Sequence, residues 1–118
     1  MKGNLSCPHT KPDQIDPNLI ALCNRIEMNT VLKLIVTSGV RCPACNATDG
    51  GKPASAHLPD KNGISHALDI SVSTSHERYI LMKELLKDGV CRIGVGKTFL
   101  HLDLNKDNPQ EVIWDYYV

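Results

Sequence analysis

The sequence predicts an α+β fold: a single small domain with a mostly antiparallel sheet, two main helices and one long loop. Three observations support this prediction. The chain has 118 residues, which is too few for two independent cores. Its hydrophobic fraction of 42% and charged fraction of 22% are close to globular averages. Its patterns follow the order helix, strand, long loop, strand, helix and then several short strands, without an internal repeat.

Both helices are predicted from apolar residues that recur at helical spacing. Asp16 and Pro17 supply an N-cap and a first-turn proline, and the periodic positions after them predict a helix over about 16–29. We expect the second helix to begin at Ser75 and to end at Asp88–Gly89 through a left-handed cap.

Short β-branched and apolar runs predict the strands, which we place at 31–37, 67–72, 92–95, 98–104 and 111–114. Residues 40–62 show no periodicity and are rich in Gly, Pro, Ala, Ser and Asp. A loop of this length inside a compact domain is usually functional or disordered. Residues 1–15 are polar and rich in turn formers, so we interpret them as a lead-in to a domain over 16–118.

Charge and hydropathy argue against two classes of partner. Thirteen Lys and Arg balance thirteen Asp and Glu, so neither nucleic acid nor an anionic membrane surface is an expected partner. No apolar run approaches the roughly 20 residues of a membrane helix, and the first residues lack the apolar run of a secretory signal. We therefore expect cytoplasmic synthesis, with any release from the cell by another route. The oligomeric state is open, and a monomer is assumed.

Five cysteines are many for this length, and an odd number with uneven spacing is more typical of a reducing compartment than of a disulfide framework. The pair Cys42 and Cys45 has the spacing of half a structural zinc site or of a redox pair. One such pair without a second is weak evidence. We therefore interpret both as turn or buried cysteines, and leave open a metal shared with Cys7 or His9.

Histidine and aspartate occur where a metal site is chemically reasonable. His101 and Asp103 alternate with apolar residues, so they share one face of a strand, which is either solvent-facing or part of a site. Asp69 lies in an apolar strand, where an unpaired carboxylate is costly, so it faces water, caps a neighbour or binds a cation. With His57 from the long loop, two histidines and one aspartate form the open ligand set of a catalytic zinc.

An ordered series of motifs then resembles the M15 family of zinc D-Ala-D-Ala carboxypeptidases, and most closely its short phage and prophage branch. The resemblance covers about residues 31–116. Its motifs are Thr37–Pro43, Asn46, Gly50–Gly51, Ser55–Leu58, Ala67–Ile70 and Phe99–Asp103, with a similar tail over Arg92–Lys97 and Pro109–Trp114.

The resemblance implies zinc bound by His57, Asp69 and His101. It also implies that Arg41 lies near the substrate, where a guanidinium suits a carboxylate or carbonyl; the alternative is a salt bridge that braces the loop. Ser55 either contacts substrate or hydrogen-bonds the loop. The implied activity is hydrolysis of peptidoglycan peptides, at D-alanyl termini or at cross-links, as in a phage endolysin.

Two departures from the family pattern remain. His57 and Asp69 are twelve residues apart instead of the usual seven, which leaves His66 near the insertion as a stray ligand or an exposed loop residue. Thr98 stands where many relatives carry an acidic residue. Asp103 is then the nearest acidic group, either as a general base or as a residue that orients a ligand, with Asp60 as the next carboxylate.

The alternative function is a non-catalytic, zinc-stabilised binding or virion-assembly module.

Overall fold

Three α-helices and one six-stranded sheet make up the described part of the chain, which is residues 1–52 and 54–116 of a computed structural model. The helices are α1 (Pro17–Asn29), α2 (Pro43–Thr48) and α3 (Ser75–Lys87). The strands are β1 (Lys2–Gly3), β2 (Ile35–Ser38), β3 (Ala67–Ser71), β4 (Arg92–Val95), β5 (Phe99–Asp103) and β6 (Val112–Asp115). The predicted α+β class is confirmed.

The sheet has the strand order β1-β2-β3-β5-β4-β6. Its three central pairs, β2 with β3, β3 with β5 and β5 with β4, are antiparallel. Its two edge pairs, β1 with β2 and β4 with β6, are parallel. The prediction of a mostly antiparallel sheet is therefore confirmed, with parallel pairing confined to the edges.

One face of the sheet forms the hydrophobic core with α1 and α3. Aliphatic side chains of both helices pack with those of the central strands, and each contributes roughly 1.5–3 kcal/mol by burial. The largest are Leu19, Ile26, Leu81, Leu85, Leu68, Ile70, Leu100 and Leu102. Because side chains alternate along a strand, the polar residues between them lie on the opposite face. Among the described residues, no helix is both long and apolar enough to span a bilayer.

The two long helices have the predicted bounds and clear caps. Asp16 caps α1 by accepting a hydrogen bond from the Asn18 N–H at 2.8 Å. At the start of α3 the capping residue is Thr74, whose hydroxyl accepts from the Glu77 N–H at 3.0 Å. Gly89 follows α3 with φ +78°, the left-handed conformation expected there.

Two local predictions were wrong. The strand predicted at 31–37 is β2, which begins at Ile35, four residues later than predicted. The Leu34 N–H donates to the Glu27 carboxylate at 2.9 Å, so the residues before Ile35 form a connection instead of a strand. The loop predicted over 40–62 contains α2. This helix has six residues, which is fewer than two turns, so it carries no periodicity that a sequence pattern could reveal.

The N-terminal segment lies along the edge of β2. Beyond β1, the Leu5 carbonyl accepts from the Val40 N–H at 3.0 Å, and the Cys7 N–H donates to the Val40 carbonyl at 3.0 Å. A Cβ on Gly39 would overlap the Leu5 carbonyl, so this close approach requires glycine. Residues 1–10 therefore pack beside the segment that leads into α2.

Candidate metal centre and cavity

The polar face of the central strands carries three of the predicted site residues. Asp69 on β3 and His101 on β5 are direct neighbours in the antiparallel register, and Asp103 lies two residues further along β5. His101 is 6% exposed and Asp103 is 1% exposed. These values exclude the solvent-facing alternative for this strand face.

His57 reaches the same point from the long loop and is 2% exposed. Its Nε2 lies 3.2 Å from Oδ1 of Asp69, and its Nδ1 lies 2.7 Å from the Gly39 carbonyl. A carbonyl can only accept, so Nδ1 carries the proton and Nε2 presents a lone pair. The Gly39 carbonyl thereby selects the tautomer that can bind a metal next to Asp69.

His101 is held between two carboxylates. Its Nδ1 lies 2.9 Å from Oδ1 of Asp69, and its Nε2 lies 2.7 Å from Oδ2 of Asp103. The other oxygen of Asp103 accepts from Nε of Arg92 at 2.7 Å. Asp103 thus contacts the edge of the imidazole that points away from Asp69, in the arrangement by which a carboxylate orients a ligating histidine.

The donor set fits zinc. One nitrogen from each of His57 and His101 and one oxygen of Asp69 lie within 4.8 Å of one another. The two nitrogen–oxygen separations, 3.2 and 2.9 Å, approach the roughly 3.4 Å edge of a tetrahedron built from ordinary zinc bond lengths. Three protein ligands leave a fourth position, which is the pattern of catalytic zinc sites.

The charges of the site also suit a cation. Burial favours the neutral form of Asp69, but its close contacts with the imidazoles of His101 and His57 outweigh burial and hold the pKa of this carboxyl well below its usual range. Burial likewise disfavours the charged form of His101, but Asp103 and Asp69 outweigh it and raise the pKa of the imidazole. Asp69 is therefore ionised at neutral pH, as a metal ligand must be.

A cavity of ≈ 770 Å³ is lined by the three ligands. Part of its wall is aromatic: the Trp114 ring lies 5.4 Å from the His101 ring, and the Arg92 guanidinium stacks 4.9 Å from the Trp114 ring centre. Gly94 lies between His101 and Trp114 in the strand register. A Cβ on Gly94 would come within 2.9 Å of the Trp114 ring, so glycine permits the tryptophan to reach the histidine.

Arg41 and Ser55 line the same cavity. The backbone N–H of Arg41 donates to the His57 carbonyl at 2.9 Å. In its side chain, Nη1 lies 3.6 Å from the Asp49 carboxylate. Its Nε is buried and has no hydrogen-bond partner among the described residues. The Ser55 hydroxyl accepts from the His57 N–H at 3.2 Å, so it shapes the ligand loop.

Two other residues weighed from the sequence lie elsewhere. His66 is held between Asp16 at 2.9 Å and Asp60 at 2.8 Å, and it is not in either cluster of metal-ligating side chains found among the described residues. Asp60 is not among the residues that line the cavity. The sequence analysis assigned no role to Trp114 or Arg92, although both lie in the tail that resembles the family. A further signal was Gly94, which pairs with Trp114 across two strands.

The second cluster consists of Cys7, His9, Cys42 and Cys45. The sequence analysis favoured ordinary turn or buried cysteines for Cys42 and Cys45 and left a metal shared with Cys7 or His9 open; the structure brings all four side chains together. Its members come from the N-terminal segment and from the start of α2, so no local pattern links them.

Comparison with known proteins gives one match. The family model described as Peptidase M15 matches residues 4–103, which is 100 of the 118 residues. No curated protein and no solved structure matches the chain. The match supports the resemblance found in the sequence and indicates a metallopeptidase with a peptide substrate.

Proposed function

The chain belongs to the M15 peptidase family, and from this premise we propose that it is a zinc-dependent peptidase acting on the peptides of bacterial peptidoglycan. Its substrates are D-alanyl termini or peptide cross-links, as for a phage endolysin. One observation carries the proposal: His57, Asp69 and His101 bring a zinc-compatible donor set to the wall of an open cavity. A binding module needs no such cavity beside an incompletely ligated metal.

Zinc held by these three residues supplies a Lewis acid that polarises a carbonyl and acidifies water near neutral pH. The protein contributes the orientation of the ligands. Gly39 holds His57 through Nδ1, and Asp103 holds His101 through Nε2. Both imidazoles are therefore fixed before a substrate arrives, which reduces the reorganisation needed during the reaction.

Of the two roles considered for Asp103, its contacts favour orienting a ligand. Both of its oxygens are engaged, one by His101 and one by Arg92, and the side chain is almost completely buried. A proton acceptor for the reaction must face the cavity. Asp49 and Asp115 are the other carboxylates among the described residues that line it.

Arg41 is proposed to bind an anionic or carbonyl group of the substrate. Its Nε has no hydrogen-bond partner among the described residues, and its distance to Asp49 is longer than a hydrogen bond. A buried donor without a partner is costly, and a substrate carboxylate removes that cost. This favours its proposed role in substrate binding over a purely bracing one.

The proposal is tested by digesting purified peptidoglycan, and a synthetic peptide ending in D-Ala-D-Ala, with the zinc-loaded protein, followed by mass analysis of the products. Release of terminal D-alanine identifies a carboxypeptidase, and loss of cross-linked dimers identifies an endopeptidase. The inactive control is His101→Ala. The matched active control is His76→Ala, an exposed histidine on α3 outside both clusters.

Absence of hydrolysis by the zinc-loaded protein on every wall substrate would overturn the proposal in favour of the binding or virion-assembly module. Equal hydrolysis by His101→Ala and the unmodified protein would overturn the assignment of the reaction to this cavity.

A further inference from the structure

Four metal-ligating side chains meet at a second place, away from the cavity. They are Cys7 and His9 from the N-terminal segment, and Cys42 and Cys45 from the start of α2. One ligand atom of each lies within 4.8 Å of the other three. All three cysteines are free thiols. We propose that this cluster is a structural zinc site with three sulfur ligands and one nitrogen ligand.

The interatomic distances match a tetrahedral zinc site. Nδ1 of His9 lies 3.6 Å from Sγ of Cys42 and 3.5 Å from Sγ of Cys45. Zinc–sulfur bonds of about 2.3 Å and zinc–nitrogen bonds of about 2.0–2.1 Å, at tetrahedral angles, require nitrogen–sulfur separations of about 3.5 Å. Both nitrogen–sulfur separations therefore already match those that one zinc ion imposes.

Backbone donors point at the sulfurs. The Cys42 N–H donates to Sγ of Cys7 at 3.4 Å, and the Cys45 N–H donates to Sγ of Cys42 at 3.5 Å. Hydrogen bonds of this kind strengthen when the acceptor carries a charge, as a zinc-bound thiolate does. The turn that connects the ligands thus also supports their ionised form.

The composition of the cluster assigns it a structural role. Four protein ligands fill a tetrahedral zinc and leave no position for water or substrate, unlike the three ligands in the cavity. The ion would tie the N-terminal segment, at Cys7 and His9, to the start of α2. The residue before Cys42 is Arg41, which lines the cavity. Zinc bound by the cluster would therefore fix one end of the segment that carries Arg41.

Zinc content of the intact chain is the first test. The unmodified protein, purified under reducing conditions and loaded with zinc, should contain two zinc ions per chain. His101→Ala and Cys45→Ser should each contain one, and the double variant none. Cys91→Ser is the matched control, because Cys91 is a partly exposed cysteine outside both clusters, and it should keep both ions.

Cobalt substitution identifies which ion is lost. Only thiolate ligands produce the near-ultraviolet sulfur-to-cobalt charge-transfer band, and the cavity site has none. The band should be present in His101→Ala and absent in Cys45→Ser. The proposal would be overturned if cobalt-loaded Cys45→Ser kept the band at the intensity of the unmodified protein. It would also be overturned if Cys42 and Cys45 formed a disulfide in the zinc-loaded protein kept under reducing conditions.

A measurement on the unmodified chain removes any dependence on the folding of variants. Zinc should slow alkylation of Cys7, Cys42 and Cys45 by at least about tenfold while leaving Cys91 unchanged, since bound thiolates are poor nucleophiles. Peptide mapping reads each cysteine separately. An alkylation rate of Cys42 that zinc leaves unchanged, as it leaves that of Cys91, would also overturn the proposal.

Discussion

The cavity site and the cysteine cluster differ in every property that separates a reactive metal site from a structural one. The cavity site has two nitrogen ligands and one oxygen ligand, its imidazoles are buried, and it lines a cavity of ≈ 770 Å³. The cysteine cluster has four candidate ligands, three of them sulfur, from the N-terminal segment and the start of α2, and none of the four is buried. In the cavity site, Asp69 and His101 lie on adjacent strands of the sheet and His57 lies on a loop beside them, whereas the cysteine cluster joins two peripheral segments. These differences are the reason why we propose hydrolysis for the cavity site and a structural role for the cysteine cluster.

The largest expected effect is loss of activity when a cavity ligand is removed. His101→Ala should lower hydrolysis by about 10³-fold or more, because metal catalysis supplies several kcal/mol and each 1.36 kcal/mol is tenfold. Its cysteine-bound zinc should remain. The measurements are kcat/KM on a wall peptide and zinc content, with His76→Ala as the control. A variant that loses both ions would show that the two sites are not independent.

The next effect concerns stability and should follow the other site. Cys45→Ser should lower the melting temperature by about 10 °C or more at saturating zinc, since a ligand that binds only the folded state stabilises by several kcal/mol when it is in large excess over its Kd. His101→Ala should lower it less. Calorimetry of the two variants beside Cys91→Ser checks this order. The reverse order would contradict the division of roles between the sites.

A smaller effect tests the carboxylate behind the cavity ligand. Asp103→Asn should weaken zinc binding in the cavity by roughly 10–100-fold, the usual consequence of removing a residue that orients a ligand. At saturating zinc, hydrolysis should recover to within about tenfold of the unmodified protein. Competition with a chromophoric chelator measures the affinity. Unchanged affinity with hydrolysis lowered by roughly 10²–10⁴-fold would instead make Asp103 the group that transfers the proton.

The smallest effect is expected for His66, which lies between two carboxylates and outside both candidate metal clusters. Burial lowers the pKa of His66, but Asp60 and Asp16 outweigh burial and raise it above 6.5. The hydrogen bond from His66 also lowers the pKa of Asp60 to about 2, so Asp60 stays charged near neutral pH. Because the folded-state pKa of His66 is raised, its stabilising contribution is complete below the unfolded pKa and is lost as pH rises through the folded value.

His66→Gln should therefore melt lower than the unmodified protein by a few degrees, about 3 °C at most, near pH 6. The difference should vanish as the pH rises past the folded pKa. Thermal melts of both zinc-loaded proteins from about pH 6 to pH 9 measure it. A difference that grows with pH would contradict the sign of the shift.

Much of the fold follows from local patterns. The helices α1 and α3 each have 13 residues, enough for an apolar stripe and two caps to be recognised. The strand β4 has the predicted bounds for a similar reason, since β-branched and apolar residues end at glycine there. The helix α2 was not predicted because its six residues are too few to show a period, and the late start of β2 was not predicted because a hydrogen bond from Leu34 to the Glu27 side chain determines it.

The amino-acid sequence alone indicated the three side chains that the structure brings together at the cavity. His57, Asp69 and His101 occur in ordered motifs, and strand alternation places His101 and Asp103 on one face, because the two-residue period is a property of the backbone. Alternation does not determine which ring nitrogen faces which carboxylate. Only the tertiary structure decided that Asp103 contacts the edge of His101 that points away from Asp69.

The tertiary structure alone also assembled the cysteine cluster. Cys7 and Cys42 are 35 residues apart, yet the N–H of one contacts the sulfur of the other. They meet because the N-terminal segment pairs with the edge of β2 and continues beside Val40. Backbone pairing at a sheet edge depends little on the identity of the side chains, so no periodicity in either segment announces it. The residue types determined which side chains could bind a metal, and the pairing of two distant segments brought those side chains together.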